Sequence, residues 1–442
     1  MINSKKKGFT IVELVIVIAV IAVLAAVLIP TFSNLVKKAN LSADQQAVRQ
    51  MNTALALEGV LGNDDIFSVY DALTEMGMTA KDYKPLTKDT FFFWDQNKKV
   101  ILHVDNNKTV IAPEQYKGET YDSSKDTWLS LSMEIIETKK PENFESTKIG
   151  SSLYELSVDT PEEFAFVIDS INKKINSGTK NINMTIDLSG KTLDMMGASI
   201  TINGLSSNTG NETFTIKNGT IKNISSIDTS KYGDGKNEGS DGQYGTAGLI
   251  NSINGYMNVV LEDLVVENIN VKNTHVSNSG ILVALNSGRL TIKDVTIKNS
   301  FIVAHRNVGA LVGYNTKDLT VTNVEMENVS VHTVGGRSAL LVGYQNGNGN
   351  IVSAANIKLT NCSFSLYKCE QNTGTSPEGN LLGLQSDGCV WSWCYDGKMK
   401  EDYNYDKYFV ENALIMVPGD TSKGENKNIA GTQFDSAVTG WN

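Results

Sequence analysis

One carboxylate, Glu13, stands inside a run from Phe9 to Ile29 that is otherwise broken only by Thr10. On insertion scales a charged side chain in the middle of such a run is unfavourable by about 2.5–3.5 kcal/mol, so Glu13 needs a partner and reads as functional. A second set of acids, Asp263, Asp294, Glu325 and Glu327, recurs through the second half of the chain. Acids of this kind could supply the pair of a glycoside hydrolase or, with a basic residue, a calcium-dependent lyase site. Asp263 and Asp294, however, occupy a repeat position that Asn323 fills equally well, which points to turn formation. His275, His305 and His332 follow one another at 30 and 27 residues and could form a row along one face, solvated or packed. Arg289, Arg306 and Arg337 are scattered in the same way.

The loop from Lys231 to Gly242 is rich in glycine and oxygen donors but departs from the EF-hand pattern, so it reads as a loop and not as a calcium site. All four cysteines, Cys362, Cys369, Cys389 and Cys394, fall in one window. Their spacing is poor for zinc, and no histidine follows His332. Outside a membrane they are expected to form disulfides, with three possible connectivities, free buried thiols being the alternative. There is no nucleotide loop, nucleophile motif or CxxC pair. The expectation is a protein that is not an enzyme and that uses no cofactor and no metal.

The elements that must position these residues follow from patterning. A chain of 442 residues is long enough for two or three domains. With 39 basic and 49 acidic residues the net charge is −10, and three lysines (Lys5, Lys6, Lys7) concentrate positive charge at the N-terminus. The remainder is acidic, which argues against nucleic-acid binding. Only seven prolines beside 37 glycines suit many tight turns. Phe9–Ile29 would span about 31 Å as a helix, the thickness of a bilayer's hydrocarbon core. A plain signal peptide has a shorter apolar core and a small-residue cleavage site, and a signal anchor has no use for Glu13.

Lys5-Lys6-Lys7-Gly8-Phe9-Thr10-Ile11-Val12-Glu13-Leu14 resembles the N-terminus of type IV prepilins and pseudopilins. That resemblance implies cleavage by a prepilin peptidase between Gly8 and Phe9 and N-methylation of Phe9. It further implies that Glu13 neutralises a neighbouring subunit's new amine during filament assembly, and that Pro30 kinks the helix. The implied partners are other pilin subunits and the membrane assembly machinery. The implied location is the cytoplasmic membrane in a single pass, N-terminus cytoplasmic before processing, and then an extracellular pilus or the cell surface.

After Pro30, Phe32, Leu35, Val36, Ala39, Ala43, Ala47, Met51, Ala54 and Leu55 recur at three- and four-residue steps, predicting an amphipathic continuation of the helix over 31–60. A small α+β head is expected over 61–114. It holds a helix from Asn63 to Met76, a hairpin of Thr90–Trp94 with Lys99–Val104, and a short strand at Thr109–Ala112. Residues 115–158 read as a connector. Asp159-Thr160-Pro161-Glu162-Glu163 opens a helix over 159–178 whose apolar face is Phe164, Phe166, Val167, Ile171 and Ile175.

Beyond it the period becomes two and the sequence repeats. The unit Ile292-Lys293-Asp294-Val295-Thr296-Ile297-Lys298-Asn299 echoes residues 216–223, 261–268 and 321–328. Gly280-Ile281-Leu282-Val283-Ala284-Leu285-Asn286 echoes residues 309–315 and 339–345. Asp263, Asp294 and Asn323 are 31 and 29 apart, and the longer step from Asn218 to Asp263 is accounted for by an insertion at Ser230–Gly245. Strand–turn–strand units of this length stack as a parallel β-helix, with aliphatic residues inside and Asn at the bends bonding the backbone of the next turn. These residues look like the pectate-lyase-like right-handed parallel β-helix superfamily; a β-sandwich or propeller is the alternative. The expected organisation is leader 1–8, membrane or filament-core helix 9–30, helix continuation 31–60, head 61–114, connector 115–158, capping helix 159–178, β-helix 179–390 and C-terminal region 391–442. The expected role is a minor or tip filament subunit that uses the β-helix for adhesion to surfaces or glycans. A pseudopilin of a secretion or DNA-uptake machine and a filament-displayed carbohydrate-active enzyme are the alternatives.

Overall fold

A computed structural model of the protein describes residues 11–57, 66–134, 137–227, 249–273, 278–304, 307–333, 337–345 and 350–366, together with 393–394, 408–411, 413–416, 426–429 and 432–433. The first element is one continuous helix, α1 (Ile11–Leu57), with Pro30 inside it. Val48, Met51, Ala54 and Leu55 fall on one stripe of its C-terminal part and are buried.

That stripe packs on a small head made of α2 (Ile66–Glu75) and the antiparallel strands β1 (Thr90–Asp95), β2 (Val100–Asp105), β3 (Val110–Ala112) and β4 (Trp128–Ser130), ordered β3-β2-β1-β4. Phe92, Trp94 and Ile101 face α1 and α2, while Phe93, Leu102 and Val104 form a second cluster with Trp128 on the other side. Both faces of the sheet are buried, and this is why Phe91–Trp94 and Val100–Val104 read as unbroken apolar runs. Asn52 of α1 fixes the docking: its side chain donates to the Ile101 carbonyl at 2.9 Å and accepts from the Ile101 amide at 2.7 Å.

The remainder is mainly β, arranged as a parallel β-solenoid. Its first rung is β5 (Tyr154–Ser157). After α3 (Pro161–Asn176) come β6 (Met184–Asp187), β7 (Thr192–Asp194), β8 (Leu205–Ser207), β9 (Thr213–Lys222) and β10 (Ser225–Ile227). The next turns contribute β11 (Ile250–Gly255), β12 (Asn258–Glu267) and β13 (Asn270–Asn273), then β14 (Asn278–Gly280), β15 (Val283–Asn286) and β16 (Arg289–Ala304). They are followed by β17 (Asn307–Gly309), β18 (Val312–Asn315), β19 (Asp318–Thr333), β20 (Arg337–Ala339), β21 (Val342–Gln345), β22 (Asn350–Thr360) and β23 (Ser363–Leu366). Three columns of parallel strands result: β5-β6-β9-β12-β16-β19-β22, β8-β11-β15-β18-β21 and β14-β17-β20.

The repeats come into register as the interior requires. Leu261 lies opposite Ile216 and Ile292, and Ile292 opposite Val321; Val266 lies opposite Ile221 and Ile297, and Ile297 opposite Met326. All are buried in one continuous core. The same core receives Phe164, Val167, Ile168 and Ile171 of α3, whose N-cap is Thr160, accepting from the Glu163 amide at 3.2 Å. β9 and β12 pair directly, so the longer repeat step is contained between β10 and β11, in residues outside the described set.

One expectation is corrected. Residues 115–158 are no mere connector: β4 completes the head sheet and β5 starts the solenoid, so α3 lies between its first two rungs. Strands of three and four residues are too short to show a period, and their partners come from elsewhere in the chain. Asparagines bond the backbone of a neighbouring turn, as Asn286 does to the Asp318 carbonyl at 3.0 Å and Asn258 to the Gly210 carbonyl at 3.0 Å, and they also form side-chain ladders: Asn323 donates to Asp294 at 2.6 Å, Asn328 to Asn299 at 3.0 Å and Asn268 to Asn223 at 2.6 Å. The turn role of Asp263 and Asp294 is seen in the backbone: with Asn218 and Asn323 they all adopt positive φ, a region Asn and Asp tolerate better than most residues.

The head and solenoid are docked. The Ser130 amide donates to the Met196 carbonyl at 2.8 Å, and the Ser199 amide to the Met133 carbonyl at 2.8 Å. Tyr121 donates to Asp194, Lys272 lies 3.1 Å from Asp71, and the Phe67 and Phe301 rings are 4.7 Å apart. Gly197 has φ +80°, and a Cβ there would stand 2.6 Å from the Ser130 amide nitrogen, so only glycine allows this approach.

Candidate functional site: the exposed apolar half of the N-terminal helix

From Ile11 to Val36 the large apolar side chains of α1 whose burial is described face solvent, from 44% exposure at Val36 to 82% at Ile11. These 26 residues make about 39 Å of helix, more than the hydrocarbon thickness of a bilayer. The helix is long and apolar enough to cross a membrane by length and composition. Its two parts therefore differ in kind: the C-terminal stripe is covered by the head, and the N-terminal part presents apolar surface that water disfavours.

Glu13 lies in the first turn of α1, on the exposed part. At that end of a helix a carboxylate also meets the positive end of the backbone dipole. Pro30 is within the helix, which runs through it. Gly8 and Phe9 lie outside the described residues.

The other predicted residues are not gathered into one site. Asp294 accepts from Asn323, which holds its carboxyl below the usual range. Glu325 pairs with Lys358 at 2.9 Å and Glu327 with Lys298 at 3.6 Å, on successive rungs. Among the described residues, no group of His, Cys, Asp and Glu is arranged to hold a metal. His332 packs at a tilt against Phe301 with ring centroids 4.9 Å apart, and burial pushes its pKa down to about 4. His275, His305, Arg306 and the 231–242 loop lie outside the described residues.

Of the four cysteines, Cys362 alone has a described side chain. It is a free thiol inside the core, its sulfur 3.3 Å from the Thr360 carbonyl and 3.5 Å from the Met326 carbonyl. Burial pushes its pKa up to about 11. It fills an aliphatic place in the repeat, so it behaves as a small hydrophobe. Cys369, Cys389 and the side chain of Cys394 lie outside the described residues.

Sequence reasoning missed Asn52, Asp44 and Asp194. Asp44 is a buried carboxylate of α1 that accepts from the Leu86 amide at 2.7 Å and the Thr87 amide at 2.8 Å, tying the helix to the head. Its signal is a polar residue on an otherwise apolar helical stripe. Asp194 carries no such mark in the sequence.

The chain thus combines a long exposed apolar helix, a small α+β head and a β-solenoid with a type IV pilin-like N-terminus. Residues 3–29 match the prokaryotic N-terminal methylation motif. A type IV major fimbrial protein FimA of Dichelobacter nodosus is 40% identical over 65 residues, which are 14% of this chain and 42% of that protein. Two further proteins of the same description and organism are 42% identical over 53 residues, covering 12% of this chain and 34% and 33% of theirs. The chain spans less than half the length of the curated relatives it matches. No solved structure matches it significantly.

Proposed function

We propose that this protein is a minor or tip subunit of a type IV filament that holds its β-solenoid outside the cell for adhesion. The observation that carries this reading is the division of α1 into an exposed apolar half and a half buried against the head. The first half suits a bilayer before assembly and the packed interior of a filament afterwards, with other pilins as partners. The second half binds the helix to the head, and the head is bonded to the solenoid, so the solenoid goes wherever the helix is built in. A solenoid of this bulk on every protomer would crowd a thin filament, which supports sparse placement. Its long flat faces support contact with surfaces or glycans rather than turnover, because the repeat acids are engaged in turns and ion pairs.

Immunogold labelling of sheared filaments with antibody against the solenoid tests this. Sparse or terminal label is expected. Uniform label along the filament would make it a major subunit, and label confined to the cell envelope would favour a pseudopilin.

A further inference from the structure

We infer that the wall formed by β5, β6, β9, β12, β16 and β19 is a docking face for a second copy of this chain. The second solenoid lies antiparallel, related by a two-fold axis that runs along the strands between β9 and β12. This inference rests on the adhesive reading above and names the partner, which is the solenoid of another subunit.

Before the bend in each strand, Leu156, Ile186, Ile216, Leu261, Ile292 and Val321 point into the core, so the residue after each points outward. These outward residues stack in register as Ser157, Asp187, Lys217, Glu262, Lys293 and Thr322. The four charges alternate in sign at each step of about 4.8 Å. Lys217 lies 3.9 Å from Asp187 and Lys293 lies 3.4 Å from Asp294, while Glu262 has no ion-pair partner among the described residues. The neighbouring outward column is threonine except for Glu155 and Val260, which keeps the wall flat. The head docks beyond the bend, through Asp194, Lys272 and Phe301, and among the described residues no bond from it reaches the charged column.

An alternating column is complementary to its own reverse. With the axis midway along the six rungs, Lys217 falls opposite Glu262 of the second copy, Asp187 opposite Lys293 and Ser157 opposite Thr322, and each pair occurs twice. The threonine column meets itself, with Glu155 opposite Thr320. Towards the strand starts Arg289 falls opposite the β6 rung and Asp318 opposite the β5 rung. At the bend Asp263 falls opposite Asn218, and Asp294 opposite the uncharged residues 188–189. No charge lies directly opposite its like. Moving the axis by half a rung would set Lys217 or Glu262 against itself, and moving it by a whole rung would leave end rungs unpaired. Charges placed in this way fix register and exclude wrong partners more than they add affinity. Six rungs by three outward positions cover roughly 24 Å by 14 Å. That is smaller than a standard interface, so the pairing is weak and reversible.

The test uses the full-length protein held one copy per lipid nanodisc, with self-association followed by sedimentation velocity over a range of concentration and salt. A reversible dimer that weakens as salt rises is expected. Lys217→Glu and Glu262→Lys should each weaken self-association at least tenfold, because each sets two like-charged pairs across the axis. A mixture of the two variants should pair about as well as wild type, since every contact between them is again of opposite sign. Damage to the fold cannot produce that compensation. Glu262→Gln, of the same size but uncharged, should weaken pairing at least threefold at an unchanged melting temperature, and it decides the matter where a reversed variant does not fold. Wild-type protein that stays monomeric throughout, a dimer that both reversals leave intact, or folded variants that do not pair when mixed would each overturn this docking face. Any of these outcomes would leave adhesion to other surfaces standing.

Discussion

On the proposed filament reading, Glu13 and Phe9 are the residues on which delivery and assembly turn. A carboxylate in hydrocarbon lacks the solvation it has in water, yet it stands four residues after the proposed new N-terminus, whose amine is a charge of opposite sign. In a packed filament the two can satisfy each other between adjacent subunits, and leaving either unpaired in a low-dielectric core is costly. Glu13→Val should therefore insert in the membrane and be processed after Gly8 like wild type, which mass spectrometry of the mature N-terminus reads as a methylated phenylalanine. It should be depleted at least tenfold from sheared filaments. Wild-type abundance of the valine form in the sheared fraction would remove Glu13 from the assembly step. At the same scale, the Cys362 thiol occupies an aliphatic position of the solenoid core.

At the scale of elements, the solenoid depends on buried polar ladders as well as on aliphatic stacks. Asn286 is fully buried; its amide donates to Asn315 at 2.6 Å and to the Asp318 carbonyl at 3.0 Å, and its oxygen accepts from the Gly288 amide at 3.2 Å. Asn286→Ala removes all three bonds and leaves their partners in a dry interior, at about 1–3 kcal/mol for each group left unsatisfied. The unfolding free energy by urea titration should fall by about 3 kcal/mol. Asn323→Gly, on the exposed ladder, should change it by no more than about 0.5 kcal/mol, since glycine adopts the positive φ of that position without strain. Equal effects would show that the buried row has no special weight. The row itself was legible as the repeated Asn of residues 280–286 and 309–315; that it lies inside the wall and not at a solvent bend was not, because Asn serves both places.

At the scale of the whole molecule, the head and solenoid share a contact in which the tilted rings of Phe67 of α2, Phe301 of β16 and His332 of β19 pack in sequence, beside the Lys272–Asp71 pair. Burial holds His332 down to about 4, below its ordinary value near 6.5, and burial also lowers His103 in the head against the opposing pull of Asp44. A histidine whose folded pKa is depressed contributes stability that is complete above its unfolded pKa and is lost as pH falls towards the folded value. Stability should therefore decline between about pH 6.5 and 4, with a shift of this size at His332 corresponding to about 3 kcal/mol. The expected measurement is a melting temperature that falls over that window in wild type and falls less in His332→Phe. An identical acid slope in the variant would show that His332 does not carry the effect.

The sequence by itself determined the elements whose signal is local. The apolar run with its single acid, the amphipathic stripe ending at Leu55, the hairpin around Asp95 and the Thr160-capped helix all follow from side-chain spacing along one stretch of backbone. The solenoid was also determined, because repetition places like residues at like distances, and stacking Ile216, Leu261, Ile292 and Val321 is the consequence. Tertiary structure alone decided what depends on residues far apart in the chain. The short strands Trp128–Ser130 and Tyr154–Ser157 acquire an identity only from their partners β1 and β6. Asp194 becomes an anchor only when Tyr121 arrives, and Gly197 becomes obligatory only when Ser130 approaches it.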